Sequence, residues 1–169
     1  MRLIEGTVRV DDVDDFVRRL DAVASETNTT IQAFDARYVV NSRHLERAVE
    51  LADRAIDRGE NVARDRAVEI LLYAAGRRQI TDALKLGVSA GENRVVALVD
   101  AGDDVTNGGD AEADAAAAVR SGVLDTTEPT LGDYDPDRVR AYFDIDDAEL
   151  AVVDGDLEAL VCERVALLV

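Results

Sequence analysis

With 169 residues, 47% of them hydrophobic and only 4% aromatic, the chain is long enough for one domain with an aliphatic core and too apolar to be disordered. Its formal charge of -17 comes from 36 acidic against 19 basic residues, and Lys85 is the only Lys among the bases. A single Cys, Cys162, and a single His, His44, exclude a disulfide framework, a thiolate zinc cluster and a His-rich metal site, so neither metal nor cofactor is expected.

An acidic, Lys-poor chain with small apolar side chains suits molar salt, where the Debye length shrinks to about 3 Å and self-repulsion no longer opposes folding. A halophilic source is therefore expected. No apolar run reaches membrane-spanning or signal-peptide length, which predicts a cytoplasmic protein without a membrane partner.

In chain order, residues 3–10 read as a strand. Asp11 then precedes Val13, Phe16, Val17, Leu20 and Val23, a helical stripe running to about Ser25. Residues 29–33 and 37–40 are candidate strands. From a cap at Asn41 or Ser42, Leu45, Ala48, Val49, Ala52 and Ile56 trace a helix that Gly59 closes. A second helix spans residues 65–75, Gly76, Arg77 and Arg78 form a break, and a short helix over 81–86 ends at Gly87. Residues 94–99 form the most strand-like segment, suited to a central strand. An alanine helix over 110–120 follows a turn-rich stretch. Residues 125–135 are expected to be a mobile loop, Pro136 opens a helix ending near Phe143, and the last helix runs from Asp156 to about Leu168. The expected architecture is α+β: a small mixed β-sheet covered by several α-helices, a single domain over residues 1–169.

Charge is distributed unevenly along the chain. Net charge is -4 over residues 1–36, +2 over 37–94 and -15 over 95–169, so the middle third is a basic island. Cations retained against the trend of the whole chain point to an anionic partner. For Arg43, Arg47, Arg54 and Arg58, pairing with Glu46, Glu50, Asp53 and Asp57 at helical spacing is the favoured account of the charge. Arg77 and Arg78 differ, because they sit in a non-helical joint with no acid before Asp82, followed by Lys85. Guanidinium groups beside a helix N-terminus can take phosphate oxygens or stack on a base, although Tyr73 is the only ring near in sequence.

Motifs for chemistry are absent. The chain has no GxxxxGK[ST], GxGxxG or GxSxG, and its paired acids, such as Asp103-Asp104 and Asp146-Asp147, are too numerous to mark a site. His44 reads as a capping or surface residue and Cys162 as a small buried hydrophobe. No enzymatic activity is expected.

Residues 69–87, E-I-L-L-Y-A-A-G-R-R-Q-I-T-D-A-L-K-L-G, carry an acid, aliphatics, a small-residue turn, Gln-Ile, Ala-Leu and Gly in a fixed order. With residues 39–55 around His44 and the closing E-R-V-A-L-L of 163–168, this resembles the kinase-binding small subunit of the KEOPS (EKC) complex, the family of the PRPK-binding protein TPRKB. The resemblance implies a non-catalytic subunit of the machinery that makes threonylcarbamoyl-adenosine in tRNA. Its partners would be the atypical kinase/ATPase subunit, which it binds and activates, and the tRNA 3′ CCA end, which it captures. RNA contacts are then expected at Arg64, Arg66, Gly76, Arg77, Arg78, Gln79 and Lys85, and kinase contacts at Leu157, Arg164 and Leu168, with Leu167 and Val169 adding apolar surface. A scaffold without RNA binding is the alternative, and an enzyme for a small acidic substrate a distant third.

Overall fold

The computed structural model describes residues 1–168; Val169 lies outside the described residues. In chain order the elements are β1 (Arg2–Val10), α1 (Val13–Thr27), β2 (Thr30–Asp35), α2 (Ser42–Arg58), α3 (Arg66–Ala75), α4 (Ile80–Ala83), β3 (Gly91–Asp100), α5 (Gly108–Gly122), β4 (Thr126–Thr127), α6 (Pro136–Phe143), α7 (Asp147–Val152) and α8 (Leu157–Arg164), an α+β chain as expected. They divide into two compact units, one of Met1–Asp35 with Gly87–Thr130, the other of Ala36–Leu86 with residues 131–168.

In the first unit the strands are ordered β2-β3-β1-β4. Every pairing is antiparallel, so the expectation of a mixed sheet is corrected. β3 is central, as its run of Val95, Val96, Ala97, Leu98 and Val99 demands, all essentially without solvent exposure. Period-two alternation puts Ile4, Val8 and Val10 on the face where Phe16 and Leu20 of α1 and Ala115, Ala116 and Val119 of α5 close the core. The stretch expected to be a mobile loop is pinned instead. Asp125 N–H donates to the Thr7 carbonyl at 2.9 Å, and the buried Thr130 hydroxyl donates to the Val95 carbonyl at 2.7 Å. Gly6 makes the β4 pairing possible, since a Cβ there would stand 2.1 Å from the Thr126 carbonyl oxygen.

The second unit is helical. Residues 37–40 are not a strand: Ala36–Tyr38 form a 3-10 turn, and Val39 and Val40 are buried where the chain turns into α2. Asn41 caps α2 by accepting from the His44 N–H at 2.9 Å, and Asp65 caps α3 by accepting from the Val68 N–H at 3.1 Å. α4 is a single turn continued by a 3-10 turn, Leu84–Leu86. α7 was not anticipated; Asp146 caps it through the Glu149 N–H. The last helix stops at Arg164, four residues short of expectation, and 166 and 167 continue as turns whose N–H groups donate to the Glu163 and Arg164 carbonyls. His44, expected at a cap or surface, has no exposure at all, while Cys162, expected in the core, is half-buried.

Candidate functional site

The basic island separates into cations that are bonded within the fold and cations that are not. On α2, Arg43 pairs with Glu50 at 2.9 Å and with Glu46 at 3.6 Å, and Arg47 reaches Glu50 at 3.4 Å, which holds the Glu50 carboxyl below its ordinary range. Helix-surface pairing therefore accounts for these two Arg residues. Arg66 lies between α3 and α2 as a two-pronged pair with Asp53, Nε to Oδ1 at 2.7 Å and Nη2 to Oδ2 at 2.8 Å. A fork so engaged has little left for RNA.

Arg77 is also engaged. Its Nη2 donates to the Tyr142 carbonyl, and its guanidinium carbon stands 5.1 Å from the centre of the Tyr142 ring. Tyr142 in turn donates its hydroxyl to the Asp82 carbonyl at 2.8 Å and packs edge-on against Tyr38 and Phe143. Burial pushes the Tyr142 hydroxyl up to about 12, with Arg77 pulling the other way. Tyr142 lies 65 residues beyond Arg77, and no local sequence signal marks the pair.

Arg78, Gln79 and Lys85 are exposed, and Arg64 projects from the loop before α3. Arg78 Nε makes one long bond, 3.4 Å, to the Leu168 carbonyl; Arg64 and Lys85 make no ion pair among the described residues. Between Arg78 and Lys85 lie Ile80, 44% exposed, and Leu84, 55% exposed. Both residues stand in the Gln-Ile and Ala-Leu places of the 69–87 pattern, but neither was expected among the contact residues. Gly76 anchors this surface: its φ of +63° closes α3, and a Cβ on it would stand 3.2 Å from the Arg164 carbonyl oxygen. The Gly76 break thus rests on the C-terminal end of α8.

Of the expected kinase contacts, Leu157 is 8% exposed and belongs with Leu160, Val161 and Val165 in the core. Arg164 is spent internally, donating to the Phe143 carbonyl at 2.9 Å, the Asp144 carbonyl at 2.8 Å and the Glu149 carboxylate at 2.9 Å, so it ties α8 to α6 and α7. Leu168 is half-buried and follows Leu167, 61% exposed. The expected RNA break and the expected apolar C-terminal end, separate in sequence, adjoin through Gly76–Arg164 and Arg78–Leu168.

Among the described residues no cluster of His, Cys, Asp and Glu could hold a metal ion, and no helix is long and apolar enough to cross a membrane. A comparison with curated proteins gives no match. A family model described as kinase binding protein CGI-121 matches residues 9–168, nearly the whole chain, and bears out the resemblance read from residues 69–87. The chain belongs to the kinase binding protein CGI-121 family.

Proposed function

We propose that the chain is a non-catalytic KEOPS subunit that binds and activates the atypical kinase/ATPase subunit and brings it tRNA held by the 3′ CCA end, in support of threonylcarbamoyl-adenosine formation. Family membership supports the kinase partner. One observation carries the RNA half: in a chain of net charge -17, Arg78 and Lys85 stay exposed and pair with no acid among the described residues, one on each side of Gln79, Ile80 and Leu84. Cations beside apolar side chains suit a single strand, whose unstacked bases offer apolar faces next to phosphates, better than a duplex, which presents mainly charge. Arg64 adds charge from the preceding loop. Arg66 and Arg77 support the surface from within.

The test compares binding of tRNA with and without its terminal CCA by the wild-type chain and by the double variant Arg78→Glu, Lys85→Glu. Loss of affinity on removing CCA, and a similar loss in the folded double variant, is expected. Equal affinity for both tRNAs overturns the 3′-end reading. The exposure of Ile80 and Leu84 favours one rival, a protein-docking surface with no RNA contact. In that case the double variant and the wild-type chain behave alike toward tRNA, and only the variant loses the kinase.

A further inference from the structure

α4 is four residues long, and its N-cap, Gln79, offers no side-chain hydrogen bond. A turn this short cannot hold its own conformation in water. Yet it stands between the two exposed cations, Arg78 just before it and Lys85 just after it. Ala83 and Leu86, both without exposure, seat the turn by packing, and Tyr142 of α6 adds a hydrogen-bonded tether on its exposed side. The Tyr142 hydroxyl donates to the Asp82 carbonyl within α4, while Arg77, immediately before Arg78, donates to the Tyr142 carbonyl and lies against its ring. One residue therefore grips the short turn at its middle and the break at its start. The half-buried ring is itself fixed by edge-on contacts with Tyr38 at 5.6 Å and Phe143 at 5.1 Å between centres.

We propose that Tyr142 is a positioning residue for RNA binding: its hydroxyl, together with the Arg77 fork, holds α4 so that Arg78 and Lys85 face a single-stranded RNA end in one fixed arrangement. This rests on the RNA reading above, and it moves Arg77 from direct contact to support. Without the hydroxyl the cations remain and Ala83 and Leu86 still seat the turn, but Arg78 and Lys85 are no longer presented in one arrangement and a phosphate contact weakens. The tyrosine must stay protonated to donate, and a hydroxyl held up to about 12 by burial does so at any working pH.

The experiment is a double-mutant cycle on the full chain with intact tRNA, using Tyr142→Phe, Lys85→Gln and the two combined, each titrated at several salt concentrations. Tyr142→Phe keeps the ring and removes one oxygen atom. Expected is a loss of affinity of about three- to tenfold, with a salt slope shallower by about 0.7, the share of one single-strand phosphate. In the Lys85→Gln background the same change should add nothing. A merely structural tyrosine would lower the melting temperature and leave the slope alone. Unchanged affinity and slope in Tyr142→Phe overturn the proposal, as does an equal loss in both backgrounds, while the RNA reading survives. No effect of Lys85→Gln by itself overturns the RNA reading and the proposal together. Arg77→Lys, which keeps charge but not the planar fork, is the second variant should Tyr142→Phe fold poorly, and it is held to the same pattern.

Discussion

His44 Nε2–H donates to the carbonyl of Ala74 at 2.8 Å, joining the first turn of α2 to the last turn of α3 across 30 residues with no solvent at either end. The other ring nitrogen accepts from the Val40 N–H at 3.4 Å, which fixes the neutral tautomer, and the ring stands edge-on to Phe143 at 5.8 Å between centres. Burial lowers its pKa from 6.5 to about 4, outweighing the carbonyl bond, which acts in the opposite direction.

A pH dependence of stability follows. The folded pKa lies below the unfolded one, so between the two the unfolded chain binds a proton that the folded chain refuses. Stability is full above about pH 6.5 and falls as the pH drops toward 4, by about 3 kcal/mol over the window. Denaturant midpoints measured from pH 7.5 to 4 should show this decline. His44→Gln should flatten the His share of the decline while lowering stability at pH 7.5. An equal slope in the variant would assign the acid sensitivity to carboxylates.

Glu69 has no exposure, and its carboxylate accepts from the Val62 N–H at 3.1 Å and the Ala63 N–H at 2.7 Å, closing the loop between α2 and α3. Glu69→Ala strands two inward-facing N–H groups and should cost about 2–4 kcal/mol. Glu69→Gln keeps one acceptor oxygen and should recover about half of that. The check is chemical denaturation of both variants, with proteolysis of the 60–65 loop as the local readout. A neutral Glu69→Ala would mean that water replaces the carboxylate.

What was legible in the sequence was what is local. The helix around His44 announces itself through Asn41 and Gly59, and β3 through five successive apolar residues, because caps and continuous hydrophobicity act over a few positions. Pairing partners were not legible. Antiparallel against mixed pairing of β1 depends on residues some 90 positions away. β4 is two residues long and exists because Gly6 lets it approach. The Gly76 break was visible from its glycine, but the roles of its cations were not. Arg66, Arg77 and Arg78 look alike in sequence, and only Asp53 and Tyr142, brought in by tertiary packing, separate the bonded from the exposed. The apolar periodicity of residues 157–168 overstated α8, because the spacing continues past Arg164 after the backbone has left the helix.

Gly76→Ala tests how tightly the break is built. The residue has φ of +63°, unfavourable for a Cβ, and the added carbon would press on the Arg164 carbonyl oxygen at 3.2 Å. A left-handed Ala costs about 1 kcal/mol, and contact with a backbone atom that cannot swing away adds to it, so a loss of about 1–3 kcal/mol is expected. Gly59→Ala, with φ of +69° and nothing within 4 Å, should show the conformational cost alone and serves as the comparison. Equal losses at the two sites would mean that the C-terminal segment yields without resistance.

The end of α8 separates buried apolar residues from exposed ones. Leu157 and Leu160 are each 8% exposed, so Leu160→Ala should cost about 2–4 kcal/mol by leaving a cavity, whatever the partner does. Leu167 is 61% exposed and Leu168 half-buried, and both follow the last helical residue, where a charged side chain can turn to solvent. On the kinase contacts that the family resemblance implies for this end, Leu167→Glu should leave the melting temperature within a degree or two and weaken capture of the kinase subunit at least tenfold. Leu168→Glu should show the same binding loss with a larger drop in stability, because the half-buried side chain loses packing as well. Arg164→Ala is the control for indirect effects: it releases the Phe143 and Asp144 carbonyls and Glu149 together, so it should destabilise the fold and disturb binding only in proportion. Full kinase capture by a folded Leu167→Glu, Leu168→Glu double variant would move the docking surface to another face, and Ile80 and Leu84 would be the next residues to replace.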